Sequence, residues 1–304
     1  MEKSVISVRG LSKAFGPLLA VDGLSFEVGS GRVTGFLGPN GSGKTTTLRM
    51  LLGLAAATSG TASVWGRPYV ALESPSRSVG AMLDAGSFHP RRSARNHLRW
   101  VAAAAGISTH RVDAVLAEVD LSGAGDRPVG EFSLGMRQRL GLAAALLGEP
   151  ELLILDEPAN GLDPAGIRWL RESLRSFAAR GGTVFVSSHQ LGEVAQMADE
   201  VVVIRGGRLV THTTVQELTT GPGPAVRVRS AQPERLAHVL RAAGAEVETR
   251  DGGAMQVRGL TAEHIGTLAA RGGLVLHELV ADTHSLEDVF FELVNQEENH
   301  VGIG

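Results

Sequence analysis

The chain has 304 residues, which is enough for about two domains at roughly 150 residues each. Its formal net charge of −3 gives no basic field that would favour nucleic acid or an anionic membrane surface as a partner. The absence of cysteine excludes disulfides, thiolate metal sites and cysteine nucleophiles. No stretch reaches the ~18 unbroken apolar residues of a membrane helix, and residues 1–4 lead into no signal-peptide core, so the sequence predicts a cytoplasmic globular protein.

The first half of the chain combines short predicted strands, a glycine-rich turn and predicted helices. Three segments have the apolar pattern of β-strands: residues 4–9, 24–28 and 32–37. After the turn that follows the third strand, residues 45–54 carry apolar side chains at helical spacing. From residue 91 to 125, arginine and alanine dominate and apolar residues recur every three or four positions. This change predicts an inserted helical subdomain over about residues 86–146.

Farther along, helical and strand patterns alternate, which is typical of an α/β fold with parallel strands. The predicted elements are, in order, a helix over 136–147, a strand over 152–155, a helix over 167–179, a strand over 183–187 and a helix over 191–198. Because its apolar run is unbroken, the strand over 152–155 is predicted to be buried on both faces. Two strands flanking Gly206 and Gly207 predict a hairpin.

The alternating glycines and prolines of residues 221–224 predict a boundary between a first domain, 1–220, and a second domain, 221–304. In the second domain the predicted order of elements is β-α-β-β-α-β, the split βαβ arrangement of ferredoxin-like domains. The predicted segments are 225–229, 233–243, 245–250, 254–258, 262–270 and 274–280. A last helix is predicted to begin at Ser285, with Asp288 completing a capping box.

A complete phosphate-loop pattern, G-x-x-x-x-G-K-[ST], follows the third predicted strand and opens a predicted helix. It is formed by Gly38, Pro39, Asn40, Gly41, Ser42, Gly43, Lys44 and Thr45. The glycines let the backbone wrap a phosphate with several N–H groups pointing inward. Lys44 would reach the terminal phosphates of a nucleotide, and the Thr45 hydroxyl would bind Mg²⁺. The dipole of the following helix adds to the attraction for an anion.

Two carboxylates end the apolar strand over residues 152–155. Asp156 would lie at the carboxyl end of the strand, where it can hold Mg²⁺ through water. Glu157 would then be the group that polarises an attacking water molecule. Taken alone, the pattern is also compatible with a buried strand that runs into an acidic loop. The preceding phosphate loop favours the catalytic interpretation.

Further motifs make the chain similar to the ATP-binding cassette (ABC) ATPases from Val5 to about Leu218. Residues 132–139 (FSLGMRQR) resemble the signature motif of the family, and residues 161–164 (GLDP) resemble its D-loop. Residues 184–189 (VFVSSH) resemble the strand that leads into its switch histidine, here His189. This resemblance implies an α/β P-loop NTPase fold of the ABC type, with antiparallel β and inserted helical subdomains. The C-terminal α+β domain, ferredoxin-like by its element order, would be an addition to that fold.

The resemblance also implies a head-to-tail homodimer or heterodimer that encloses two ATP molecules with Mg²⁺. Each nucleotide would lie between the phosphate loop of one subunit and Ser133, Gly135 and Asp163 of the other. His189 would hold the γ-phosphate and the water near Glu157. The implied positions that bind ATP outside the phosphate loop are Phe15, which would stack on adenine, Val21 and Thr46. Thr45, Asp84 and Asp156 are the implied metal ligands.

The sequence departs from the family pattern at two places. Asp84 stands where the family usually has a glutamine; a carboxylate can still bind Mg²⁺, but the coupling of this loop to a partner becomes an open question. Leu134 and Met136 stand where the signature more often has glycine and glutamine. Ser133 and Gly135 would make the phosphate contacts and are retained, so we expect the site to be active. Slower or weaker dimerisation is one expected consequence of Leu134 and Met136.

The resemblance implies a membrane permease as partner, with the chain peripheral on the inner face of the cell membrane. Residues 86–98, basic through Arg91, Arg92 and Arg95, are expected to face that partner, although a solvated turn would look similar. The end of the chain, 285–293, resembles the daunorubicin- and bacitracin-resistance type of exporter ATPases, which act with type 2 permeases. For the second domain, a dimer-stabilising role and a regulatory role are both open. The transported substrate, a drug, lipid, polysaccharide or peptide, is not encoded here.

Two other functions compete with that of an exporter subunit. A soluble ABC ATPase that acts on the ribosome or DNA would need no permease, but the chain has one cassette, no long charged coiled-coil insertion and no basic tail. A nucleotide-binding regulator without catalysis would not need Lys44, Asp156, Glu157 and His189 together. We therefore expect an ATP hydrolase with no nucleic-acid partner.

Overall fold

The computed structural model describes residues 4–83, 88–220, 225–249 and 254–282. The chain divides into two compact units, Met1–Val215 and Gln216–Gly304. This division lies a few residues before the predicted boundary at residue 220. Within the described residues, no helix has both the length and the apolar character needed to cross a membrane.

The first unit contains nine strands and seven α-helices among its described residues. The strands are β1 (Ser4–Phe15), β2 (Leu18–Gly29), β3 (Val33–Leu37), β4 (Ser59–Val64), β5 (Val79–Met82), β6 (Leu152–Asp156), β7 (Thr183–Ser188), β8 (Glu200–Arg205) and β9 (Arg208–Thr214). The helices are α1 (Lys44–Leu51), α2 (Pro75–Ser78), α3 (Ala94–Ala104), α4 (Arg111–Glu118), α5 (Leu134–Leu146), α6 (Pro164–Ala179) and α7 (Leu191–Ala195). Helix α8 (Val215–Thr220) follows and crosses the division between the units.

Six strands form the central sheet of the first unit in the order β5-β6-β7-β3-β8-β9. All neighbouring pairs are parallel except β8 and β9, which form the predicted hairpin. Strand register places Leu37 opposite Ser188, and Asp156 opposite Ser187. The carboxyl ends of β3, β6 and β7 therefore meet at one edge of the sheet, which is where open α/β sheets bind ligands.

An antiparallel sheet of β2, β1 and β4 packs against the central sheet. Three buried phenylalanines join the two layers: Phe26 of β2 lies 5.5 Å from Phe36 of β3 and 5.6 Å from Phe185 of β7 between ring centroids. Burial of each such ring stabilises the fold by about 1.5–3 kcal/mol. Strand β4, with the sequence SGTASV, has too few apolar residues for the alternation that predicted the other strands.

Helices α3, α4 and α5 lie within the segment predicted as a helical subdomain and contact one another. Their shared core contains Leu98, Val115 and Leu140, all fully buried. Arg95, on α3, forms ion pairs with Asp113 of α4 and with Asp126. The ion pair with Asp113 joins α3 to α4, and the apolar stripe packs α5 against both of them.

The second unit has its own sheet and core. Its elements are β10 (Ala225–Ser230), α9 (Pro233–Ala242), β11 (Glu246–Thr249), β12 (Ala254–Arg258), α10 (Ala262–Arg271) and β13 (Leu276–Asp282). The strands pair antiparallel in the order β11-β12-β10-β13. Val228, Leu236, Leu240, Val257 and Ile265 form the centre of the core. The helix predicted from Ser285, and with it the motif over 285–293, lies outside the described residues.

Candidate active site

The loop between β3 and α1 has a backbone that only glycine allows at two positions. Gly43 has φ +101°, and a Cβ there would lie 2.5 Å from the carbonyl oxygen of Ala20. A Cβ on Gly38 would lie 2.5 Å from the carbonyl oxygen of Ile204. Contacts this short force the backbone to move, so the loop depends on both glycines. Val21 is fully buried, with Cγ2 near Gly43, and supports the loop from beneath.

The polar groups of this loop are arranged for an anion. Lys44 is buried, and its Nζ donates to the carbonyl oxygens of Gly38 (2.6 Å) and Pro39 (3.2 Å). Ser42 Oγ is buried and has no hydrogen-bond partner among the described residues. No acidic residue occupies the first turn of α1. A buried ammonium, an unpartnered hydroxyl and a free helix N-terminus together fit a bound phosphate group.

Asp156 lies at the carboxyl end of β6 and binds two hydroxyl groups. Its Oδ2 accepts a hydrogen bond of 2.7 Å from Thr45 Oγ1, and its Oδ1 accepts one of 2.5 Å from Ser187 Oγ. The register of β6 and β7 explains the second contact, since Asp156 and Ser187 are directly paired. A carboxylate and a threonine hydroxyl at this separation are oxygen donors of the type that Mg²⁺ prefers.

Glu157 lies between two cationic or potentially cationic groups. Its Oε1 is 3.2 Å from Lys44 Nζ, and its Oε2 is 2.8 Å from His189 Nδ1. Ser187 Oγ also accepts a 3.0 Å hydrogen bond from the Glu157 backbone N–H. The backbone at Glu157 has φ +48°, a conformation that a non-glycine residue keeps only when its surroundings hold it there. This strained backbone directs the Glu157 side chain toward Lys44 of the phosphate loop.

The model of a family described as ABC transporter matches residues 21–160. The chain is 44% identical to the bacitracin transport ATP-binding protein BcrA of Bacillus licheniformis over 68% of this chain and 69% of that protein. It is 33% identical to BcrA of Enterococcus faecalis over 95% and 96% of the two chains. This chain belongs to the ATP-binding proteins of ABC transporters.

Other comparisons agree with this assignment. The ABC ATPase is 37% identical to the lantibiotic transport ATP-binding protein SrtF of Streptococcus pyogenes over 68% of this chain and 89% of that protein. A solved structure of the ATP-binding subunit of an ABC transporter superposes with a TM-score of 0.63 at 28% identity, covering 71% of this chain and 92% of that one. The predicted family, its bacitracin-resistance type and its ATP hydrolase activity are confirmed. A domain of unknown function matches residues 224–287.

Four further residues were predicted to bind ATP or Mg²⁺ within the same subunit, and they differ in location and burial. Phe15 ends β1 and is 53% exposed, with Lys13 Nζ 5.1 Å from its ring centroid, so one aromatic face is available for stacking. Val21 is instead fully buried, and it acts on the site through the loop that it supports. Thr46 is half-buried in the first turn of α1. Asp84 lies outside the described residues.

The three residues predicted to act on a second subunit's nucleotide lie at two helix N-termini. Ser133 is the N-cap of α5, accepting a hydrogen bond from Met136 N (3.2 Å), and Gly135 is in its first turn. Asp163 is the N-cap of α6, and its Oδ1 accepts from Gly166 N (2.7 Å). Ser133 and Asp163 are exposed. In the part of the chain that the structure describes, no hydrogen bond or ion pair joins them to the phosphate loop.

Two residues of the site were missed by the sequence reasoning. Ser187 binds Asp156 and the Glu157 backbone, and its only signal was its place two residues before His189. Glu193 lies one helical turn after His189, on α7. Burial raises the pKa of Glu193; attraction to His189 opposes the shift and repulsion from Glu157 adds to it. Stability due to this carboxyl is present at low pH and is lost as the pH rises through the raised pKa.

Proposed function

We propose that this ABC ATPase hydrolyses MgATP between two of its own copies and drives a separate type 2 membrane permease that exports a drug, antibiotic or lipid-like substrate. The observation that carries the catalytic part is the contact chain Lys44–Glu157–His189 below the phosphate loop. The names of relatives that transport bacitracin or lantibiotics support export.

Each residue that would act on the nucleotide of its own subunit has a role that its contacts support. Lys44 and the loop N–H groups bind the phosphates, which requires Nζ to leave the carbonyls of Gly38 and Pro39. Thr45 and Asp156 would hold Mg²⁺, which when bound would neutralise phosphate charge. Glu157 accepts the proton of the attacking water, and His189 orients the Glu157 carboxylate through Nδ1.

The second subunit is proposed to supply Ser133, Gly135 and Asp163. Both halves of the site are present in one chain, so two copies related by a two-fold axis would form two complete sites. A heterodimer with a related ATPase is the alternative arrangement. Exposure of Ser133 and Asp163 supports either one, because both residues are accessible to another molecule.

A surface on α3 and the turn before it is proposed to bind the permease at the cytoplasmic face of the membrane. The Arg92 guanidinium carbon lies 5.0 Å above the ring centroid of Trp100, and Trp100 is 57% exposed. His97 is buried between them and Phe88, with ring centroids 4.9 Å from Phe88 and 6.2 Å from Trp100. An exposed tryptophan with a stacked arginine is typical of residues that dominate protein–protein interfaces.

The permease proposal is tested with Arg92→Glu in the full-length ATPase. The variant is expected to lose co-purification in detergent with a co-expressed six-span membrane permease, since the charge reversal also removes the stacking on Trp100. Arg175→Glu, the same change at an exposed position of α6, is the control and should still co-purify. Ribosome co-sedimentation of the parent protein without any membrane partner would instead favour the soluble ABC ATPase.

For the second unit we infer a ferredoxin-like domain. The order β-α-β-β-α-β and the strand order β11-β12-β10-β13 support this inference, since both agree with the split βαβ topology. The limits proposed for the two domains remain 1–220 and 221–304, with the helical subdomain over about 86–146. A dimer-stabilising role and a regulatory role for the second domain are both compatible with its separate core.

A further inference from the structure

The first turn of α5 contacts the loop that precedes α6 in the same subunit. Gly161 has φ +73°, and a Cβ built on it would lie 2.2 Å from Leu134 Cδ2. A Cβ on Gly135 would lie 3.4 Å from Leu162 Cδ2. Farther along α5, Gln138 Nε2 donates a 3.3 Å hydrogen bond to the carbonyl oxygen of Asn160. Leu134 therefore fills a notch that exists because residue 161 has no side chain.

Leu134 is not buried in a hydrophobic core, so core packing does not account for a leucine at this position. Its side chain is 47% exposed, and it belongs to a turn whose neighbouring N-cap, Ser133, is also exposed. An exposed leucine adds little to the stability of the helix that carries it, because helix propensity differs by only tenths of a kcal/mol among ordinary residues. The contact with Gly161 links this leucine to another element of the first unit.

Leu134 and Gly161 join two parts of the chain that each carry a residue proposed to act in trans. Ser133 precedes Leu134 and caps α5, one of the three helices of the predicted helical subdomain. Asp163 follows Gly161 by two residues and caps α6, the helix that packs on the central sheet. If the two loops moved independently, both would have to be ordered when a second subunit binds, and this ordering costs free energy of association.

We propose that Leu134 is a positioning residue for the trans half of the active site. It ties the signature turn to the loop before α6, so that Ser133 and Asp163 face the nucleotide of the second copy as one preorganised surface. This inference rests on the proposed two-copy active site. It gives the leucine at position 134 a specific role, where the family pattern more often has glycine.

The test measures ATP-driven dimerisation in a Glu157→Gln background, where slow hydrolysis preserves the MgATP complex. Light scattering over a concentration series gives the dimer dissociation constant of four proteins in this background. One retains Leu134, and the others carry Leu134→Gly, Leu134→Ala or Leu134→Met. We expect the constant to rise about tenfold with glycine, less with alanine, and little with methionine, which can fill the same notch. MgATP affinity of the dilute monomer should be the same in all four, because Leu134 does not touch the phosphate loop.

A double-mutant cycle tests the contact itself. Gly161→Ala places a methyl group against Leu134 Cδ2, so it should weaken dimerisation more when Leu134 is present than in Leu134→Gly. Gly181→Ala is the control for backbone strain: Gly181 has φ +92°, with nothing within 4 Å of a built Cβ. This control should lower thermal stability and leave the dimer dissociation constant unchanged.

The outcomes separate this inference from the proposal on which it rests. If the Glu157→Gln protein stays monomeric with MgATP, the two-copy site fails and the inference fails with it. If that protein dimerises but Leu134→Gly dimerises equally well or more tightly, only the role of Leu134 is overturned. Equal effects of Gly161→Ala in the two backgrounds, or failure of Leu134→Met to dimerise, would also overturn it.

Discussion

Lys44→Ala is expected to weaken MgATP binding by about 10- to 100-fold, the loss that follows from removing charge-assisted hydrogen bonds worth ~1.5–3 kcal/mol. Lys44 is the buried ammonium of the phosphate loop, and it also neutralises Glu157 at 3.2 Å. Without it, the carboxylate of Glu157 would repel the phosphates. Titration with a fluorescent ATP analogue measures the change directly, and hydrolysis should fall with binding.

The control for this prediction is Arg49→Ala, which removes one positive charge from an exposed position of the same helix, α1. It should bind MgATP as the parent does, because its charge is on the solvent side of the helix. Equal binding by Lys44→Ala and the parent would show that the loop of residues 38–45 is not where the phosphates bind.

Glu157→Gln is expected to keep MgATP binding and to reduce hydrolysis by about 10²- to 10⁴-fold, the contribution usual for a general base. Glutamine preserves the size of the side chain and a hydrogen bond to His189, but it cannot accept a proton from water. Single-turnover hydrolysis at saturating MgATP isolates this step from nucleotide binding. Release of phosphate in the first turnover should slow by the full factor.

The matched control is Glu151→Gln, the same substitution at an exposed residue just before β6, at the opposite end of the strand. It should hydrolyse MgATP at the parent rate. Hydrolysis by Glu157→Gln at the parent rate would exclude Glu157 as the base, and Glu193, the neighbouring carboxyl with a raised pKa, would become the next candidate.

Local patterns were sufficient to predict the phosphate loop and most elements of both units. The glycine spacing of residues 38–45 is a backbone requirement, so it is readable without knowledge of the fold. Strand β4 was not predicted, because its residues are mostly small and polar and its pairing with β1 supplies the order instead. Trp65, with φ +49°, sits in the hairpin turn that follows β4, a conformation no pattern rule assigns to tryptophan.

Contacts between distant segments were predictable only where two motifs share one ligand. The hydrogen bond from Thr45 to Asp156 joins residues 111 positions apart, and the two local motifs had already indicated it by giving both residues a metal-binding role. Ser187 and Glu193 act through burial and neighbours, which depend on the register of β7 and on the packing of α7. The contact of Leu134 with Gly161 depends on how the first turn of α5 and the loop before α6 pack together. The sequence alone therefore offered no role for a leucine at position 134, where the family pattern more often has glycine.

The central claim is that one active site is built from two copies of the chain. Mixing two inactive variants tests it most directly: Lys44→Ala, which lacks its own phosphate-loop cation, and Gly135→Asp, whose carboxylate would repel the nucleotide of the other copy. Space for the aspartate exists, since a Cβ on Gly135 makes only ordinary contact at 3.4 Å. The mixture should recover up to about a quarter of the parent rate, because half of randomly formed dimers are mixed and each has one complete site. ATP hydrolysis no greater than the sum of the separate variants, with both still folded, would contradict the two-copy site.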